Sequence, residues 1–282
     1  MNDTIRLYHG TDMPLVGFGL YRIDDQRTMD ETIRCAYDSG YRLFDTAQMY
    51  GNEALLGNAL RHCGIPRDEV FLTTKIDPRN MAPHALRESL LDSLHGLQSD
   101  HVDLLLIHWP GQSPERLRAC WAQMSALQAE GKAREIGLCN AVAHHLDWLA
   151  DAPAKPAVNQ IEVNLHNVQA RLCRLCAERG IQVQAWAPLG RGDFSDPYVQ
   201  QLAAKYGCTP AQIVLQWHLQ QGIAVIPKSS HPERIRSNID LGHLVLDPEE
   251  IRRLNARDEY KDTSHNPYTY DYEKSKLSSG LS

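Results

Sequence analysis

The chain has 282 residues and a mass of 31.8 kDa, with 43% hydrophobic and 23% charged residues; it can build a sizeable core and is not disordered by composition. Its 35 acidic side chains outnumber 29 basic ones, for a formal charge of −6, which argues against a general nucleic-acid binder. Length alone leaves two domains or a single α/β barrel of roughly 250 residues open.

The chain opens with a short hairpin pattern, residues 5–8 and then Gly10-Thr-Asp-Met-Pro14, suited to plugging the bottom of a barrel. From there strand and helix patterns alternate. Strands are expected at 15–19, 42–45, 70–74, 102–107, 133–138, 157–162, 182–185 and 224–226. The helices that follow them are expected at 28–39, 54–63, 83–97, 114–130, 144–150, 169–178, 210–221 and 233–239. Pro83, Pro114 and Pro210 suit the first helical turn, where the missing N–H costs no bond, and Gly40, Gly64, Gly131 and Gly180 suit helix ends. Residues 262–282 read as a non-helical tail. Eight strand–helix units without an interior linker predict a (β/α)8 barrel, read as a single domain over residues 1–282. No G-x-G-x-x-G follows the first strand, which counts against an open doubly wound sheet.

The N-terminus carries no basic stretch followed by an apolar one. The strongest apolar run, residues 102–109, is broken by Asp103 and too short to span a bilayer. A cytoplasmic protein without a membrane partner is expected. The seven cysteines are odd in number and scattered, as reduced thiols would be. Cys173 and Cys176 form a C-x-x-C inside a helical pattern with no second ligand pair, so they read as a structural pair and no metal site is expected.

A barrel carries its active site at the C-terminal ends of its strands, and polar residues gather there. Strand 2 ends at Asp45, with Tyr50 five residues on; strand 3 ends at Lys75, and strand 4 runs into His108 and Trp109. A free phenol is a poor acid at neutral pH, but a nearby ammonium stabilises the phenolate. A carboxylate fixes the lysine, and a histidine orients a substrate oxygen. Such a site suits carbonyl reduction, which needs an acid at oxygen while hydride reaches carbon. No side chain supplies hydride, so a nicotinamide cofactor is implied. Taken singly, each residue has a plainer reading as a cap, a surface charge or a packed ring; the convergence of four at three successive strand ends favours the site.

Two stretches carry a family resemblance. Gly40-Tyr-Arg-Leu-Phe-Asp45-Thr-Ala with Tyr50-Gly-Asn-Glu53 and Leu56-Gly57, and Ile226-Pro-Lys-Ser229 with Arg234 and Ser237-Asn238, resemble the two signatures of the aldo-keto reductase superfamily. The layout is similar to compact bacterial members such as the 2,5-diketogluconate reductases. The resemblance implies NADPH-dependent reduction of aldehydes, ketones or keto-sugars, with Tyr50 as general acid and Asp45, Lys75 and His108 completing a tetrad. It implies cofactor contacts from Asn140 and Gln160 to the nicotinamide carboxamide, and from Trp186 to the nicotinamide ring. Ala187 and Leu189 follow as cofactor contacts, Lys228, Ser229 and Arg234 hold the 2′-phosphate, and Asn238 lies near the adenine. Tyr21 and Trp109 fall where relatives line the substrate pocket, and tails of relatives fold across the mouth. The chain departs from the pattern at Cys139, where a serine is usual, at Ala141 and at Ser237. The expected partner is a small carbonyl substrate and the expected state a monomer. A slow-turnover, cofactor-binding redox sensor of the same fold is the alternative, and turnover of NADPH with a generic aldehyde separates the two. A third possibility is a barrel enzyme that holds a substrate phosphate at 228–234, which NADPH titration separates.

Overall fold

The structure is a computed structural model that describes residues 3–192, 194–261 and 264–272. An antiparallel hairpin, β1 (Thr4–Arg6) and β2 (Asp12–Pro14), precedes the main sheet. The sheet contains β3 (Phe18–Gly19), β4 (Leu43–Asp45), β5 (Phe71–Ile76), β6 (Val102–Ile107), β7 (Ala133–Cys139), β8 (Val158–Glu162), β9 (Gln182–Trp186) and β10 (Ala224–Val225), each parallel to its sequence neighbour. The two edges meet. Val16 bridges Val225, Val225 N–H donates to Leu15 O at 2.8 Å, Gly17 N–H to Val225 O at 2.8 Å, and Gly19 N–H to Pro227 O at 3.1 Å. These bonds close the sheet into the expected (β/α)8 barrel and leave no edge exposed.

Strand alternation sorts side chains into two cores. Leu43, Phe71, Leu104, Leu106, Val158 and Ala224 pack inside the barrel with Met13 and Leu7 of the hairpin segment. The alternate residues, such as Phe44, Leu72, Leu105 and Ile161, pack outward against the helices. The interior is tight: a Cβ on Gly137 would lie 2.5 Å from the Val158 carbonyl oxygen and 2.8 Å from Leu106 Cδ2. The hairpin is fastened to the barrel by the buried Glu135 of β7, which accepts from Thr11 N–H at 3.1 Å and meets His9 Nδ1 at 2.8 Å.

The helices are α1 (Gln26–Asp38), α2 (Glu53–His62), α3 (Pro83–Leu97), α4 (Pro114–Ala129), α5 (Ala143–Trp148), α6 (Ala170–Glu178), α7 (Pro197–Tyr206), α8 (Pro210–Leu219), α9 (Pro232–Ile239) and α10 (Pro248–Asn255). Pro83, Pro114 and Pro210 do open their helices. Among the described residues two helices exceed the one-per-strand expectation. Asp196 caps α7 by accepting from Tyr198 and Val199 N–H, and Asp247 with Glu250 forms a capping box on α10. Both begin with the Asp-Pro signal, which a strict strand–helix count passes over. Among the described residues no helix is long and apolar enough to cross a membrane.

Candidate active site

The inward-facing parity that buries Leu43 and Phe71 also turns Asp45 and Lys75 into the barrel, two and four residues further on. Lys75 Nζ donates to Asp45 Oδ1 at 2.5 Å, to the Thr46 carbonyl at 2.9 Å and to Tyr50 Oη at 3.4 Å, so all three ammonium donors are used. Lys75 has no solvent exposure. Burial is the largest single influence and opposes its charge, yet Asp45, Tyr50 and Cys139 together outweigh it and Lys75 is held above the ordinary lysine range.

Tyr50 ends a short 3-10 turn, Gln48–Tyr50, and is half-buried. Burial pushes its phenol up to about 12, while Lys75 pulls in the opposite direction. The ammonium therefore has the expected sign but loses to desolvation, and the phenol stays protonated at neutral pH. The His108 ring packs edge-on against Tyr50 with centroids 5.6 Å apart. Burial first, and Lys75 second, hold His108 well below the ordinary histidine value, so its ring is neutral. Its Nδ1 is buried with no hydrogen-bond partner among the described residues.

The Tyr50 turn is pinned by residues not singled out from the sequence. Gln48 Oε1 accepts from Asp77 N–H at 2.9 Å, and Gln48 Nε2 donates to Ser93 Oγ at 3.2 Å. Buried Asn52 accepts from Thr46 Oγ1 at 2.6 Å and donates to the Leu20 and Ile23 carbonyls at 2.9 Å each. Asn52 thereby ties the Tyr50 loop to the loop that carries Tyr21, whose exposed ring lies 5.1 Å from the Tyr50 ring. Thr46 and Asn52 fall inside the quoted signature, but the bonds of Asn52 reach residues 20 and 23, which no local pattern reveals.

Asn140, Gln160 and Trp186 meet on the adjoining wall. Gln160 Nε2 donates to Asp45 Oδ2 and to Gln184 Oε1, each at 2.8 Å. Asn140 Nδ2 donates to the His108 carbonyl at 3.0 Å, and Trp186 Nε1 donates to Asn140 Oδ1 at 2.9 Å. Asn140 and Ala187 are both left-handed, with φ of 61° and 45°; asparagine tolerates that conformation and alanine does so at a cost. Burial pushes the Cys139 thiol up to about 12, so it is not a thiolate. Leu189 packs against the outer core from the loop after β9.

At the end of β10 the main chain passes close over Gly19, where a Cβ would meet the Ile226 carbonyl oxygen at 3.0 Å. Ser229 is buried and its Oγ accepts from His231 N–H at 3.1 Å, just before α9. Lys228 and Arg234 are exposed, and neither pairs with a carboxylate among the described residues. The buried Asn238 lies near the end of the same helix. Two cations and a hydroxyl at a helix start suit an anionic group.

The C-terminal segment, where described, covers the other rim. The Tyr270 ring sits 4.7 Å from Trp109 and stacks at 4.4 Å on His265, while Gln112 Nε2 donates to the Pro267 carbonyl at 3.2 Å. Residues 262–263 and 273–282 of the expected tail lie outside the described residues. Trp109 is buried under this segment.

Residues 15–259 match the sequence profile of the aldo/keto reductase family, and the chain belongs to that family. It is an oxidoreductase acting on carbonyl groups. The chain is 40% identical over 269 residues to methylglyoxal reductase DkgA of Escherichia coli O157:H7, covering 93% of this chain and 96% of the relative. It is 35% identical over 269 residues to glyoxal reductase of Bacillus subtilis (strain 168), covering 95% and 97%. Among solved structures it is similar to MGS-M4, an aldo-keto reductase enzyme from a Medee basin deep-sea metagenome library, with a TM-score of 0.91 and 32% identity over 95% of this chain and 100% of that one. Enzymes of this family generally use NAD(P)H.

Proposed function

We propose that the protein reduces small aldehydes, ketones or keto-sugars with NADPH, and that Tyr50 delivers the proton. The observation that carries this reading is the Lys75–Tyr50 contact at 3.4 Å. An ammonium has donors only, so the phenol oxygen must accept there, and the Tyr50 O–H is left free to donate into the cleft. When bound, a dihydronicotinamide supplies the hydride that no side chain can. The residues present fit such a cofactor at both ends: a half-buried indole beside two amides, and an anion site that no carboxylate among the described residues neutralises.

In this reading Asn140 and Gln160 hold the carboxamide, Trp186 offers its face to the ring, and Ala187 and Leu189 line the chain beyond it. Lys228, Ser229 and Arg234 hold the 2′-phosphate, with Asn238 beside the adenine. The proton leaves Tyr50 Oη for the carbonyl oxygen as the C=O becomes an alcohol C–O–H. The phenolate left behind is paired with Lys75, and solvent returns the proton. The developing alkoxide is a stronger base than phenolate, so a phenol near 12 still transfers downhill. Neutral His108 orients the carbonyl oxygen without competing as an acid. Tyr21 and Trp109 form opposite walls of the substrate cleft. The reductase names of the relatives favour short dicarbonyls such as methylglyoxal and glyoxal as substrates. The same reading takes the chain as one domain acting as a cytoplasmic monomer.

Tyr50→Phe tests the assignment. It is expected to lower kcat by about 10²–10⁴-fold, the usual range for general acid catalysis, while the NADPH Kd stays unchanged. Retention of more than about a tenth of kcat, with chemistry rate-limiting, overturns it.

A further inference from the structure

The two amides at the mouth are oriented in the same sense. An indole N–H can only donate, so the Asn140 atom that meets Trp186 Nε1 at 2.9 Å is the oxygen. The Asn140 nitrogen then spends its two hydrogens on the His108 carbonyl at 3.0 Å and the Cys139 sulfur at 3.3 Å. Gln160 repeats the pattern. Its nitrogen sits between the Asp45 carboxylate and Gln184 Oε1, both at 2.8 Å, and a carboxylate can only accept. Gln160 Oε1 receives only the Cys139 thiol, at 3.7 Å, among the described residues. Every amide hydrogen of the pair is therefore committed inside the protein. What each amide still offers a ligand is an oxygen lone pair.

Among the described residues nothing beside the two amides restores a strong donor. Cys139 stands between the two amides, and a thiol donates weakly. The Asn140 backbone N–H is taken by the Gln160 carbonyl at 2.9 Å, which also holds Asn140 in its left-handed turn. Asn140 is buried, and reversing its amide would set oxygen against the His108 carbonyl and N–H against the indole N–H at once.

Resting on the NADPH reading, we propose that this subsite accepts but does not donate. It recognises the cofactor's carboxamide through the NH2 group and leaves the carboxamide oxygen without a strong protein donor. Cys139 is the residue that sets this selectivity, and Trp186 fixes its sense as well as offering a stacking face.

Calorimetric Kd values for three oxidised cofactors test the proposal without turnover. They are NADP+, its thionicotinamide analogue, in which the carbonyl oxygen becomes sulfur and the NH2 remains, and its 3-acetylpyridine analogue, in which the NH2 becomes methyl. The thio analogue is expected to bind within about threefold of NADP+ and the acetyl analogue about tenfold more weakly, the scale of buried acceptors left unpaired. In Cys139→Ser, a hydroxyl donor returns, and the thio analogue should become weaker than NADP+ by about threefold or more. An acetyl analogue that binds like NADP+, or a thio analogue penalised tenfold in the unaltered protein, overturns the proposal. An absent NADP+ isotherm overturns the cofactor reading itself and the proposal with it, and that outcome is distinct because all three ligands then fail together.

Discussion

Lys75→Met removes the charge that the site is built around while nearly keeping side-chain volume. At the observed 3.4 Å, an ammonium stabilises a phenolate by about 5 kcal/mol at an effective dielectric near 20. That corresponds to roughly three to four pKa units, acting on a phenol that burial already pushes up to about 12. In Lys75→Met the phenolate has no counter-charge, and kcat for carbonyl reduction should fall about 10³-fold, inside the range of general acid effects. The NADPH Kd should change little, because no cofactor contact is assigned to Lys75. The variant also strands a carboxylate. Asp45 keeps Gln160 Nε2 at 2.8 Å but loses the ion pair at 2.5 Å, and leaving a buried charge unpaired costs about 3–5 kcal/mol. Adding Asp45→Asn removes that charge, so the double variant should regain much of the lost stability and none of the lost rate. The assay is kcat with NADPH and with NADPH deuterated at C4, beside urea denaturation of each variant. A loss in kcat below tenfold while the deuterium effect shows hydride transfer limiting the rate would refute the role given to Lys75. Recovery of rate in the double variant would refute the electrostatic argument.

Other outcomes follow from the same geometry. Arg234→Ala should weaken NADPH binding about tenfold or more and NADH binding hardly at all, because charge-assisted bonds to a 2′-phosphate are worth about 1.5–3 kcal/mol; equal losses in the two titrations place Arg234 away from that phosphate. Tyr270→Ala uncovers Trp109 and should alter kcat/KM unequally for methylglyoxal and for a bulky aromatic aldehyde with the NADPH Kd intact; a uniform change denies the C-terminal segment a part in the pocket. Burial holds His145 and His218 at about 4, below the ordinary 6.5, so the folded chain refuses protons that the unfolded chain accepts. Stability should therefore be full above about pH 6.5 and fall toward pH 4, by up to about 3 kcal/mol per histidine. His145 shows why: its Nδ1 accepts from Val142 N–H at 3.1 Å, so a second ring proton would face an N–H. Urea midpoints that do not move between pH 7 and pH 4 would contradict this.

Much of the fold and the site is legible in the sequence, for a local reason. Strand and helix periods, first-turn prolines and the run of strand ends are properties of neighbouring residues. A parallel barrel places every strand end at one mouth, so Asp45, Tyr50, Lys75 and His108 converge once the barrel is granted. The helices α7 and α10 carry local Asp-Pro capping signals, but a count of one helix per strand has no place for them. Other features needed the tertiary structure because they depend on partners far along the chain. Asn52 holds the Tyr50 loop through carbonyls about 30 residues away, and Gln184 completes the Gln160 bonds from the next strand. The protonation of Tyr50 belongs here too. Sequence spacing predicted an ammonium that lowers the phenol, and the ammonium is present, but only the packed site shows that desolvation is the larger effect. Adjacency along a chain shows which charges can meet, whereas the water excluded around them is a property of the whole fold.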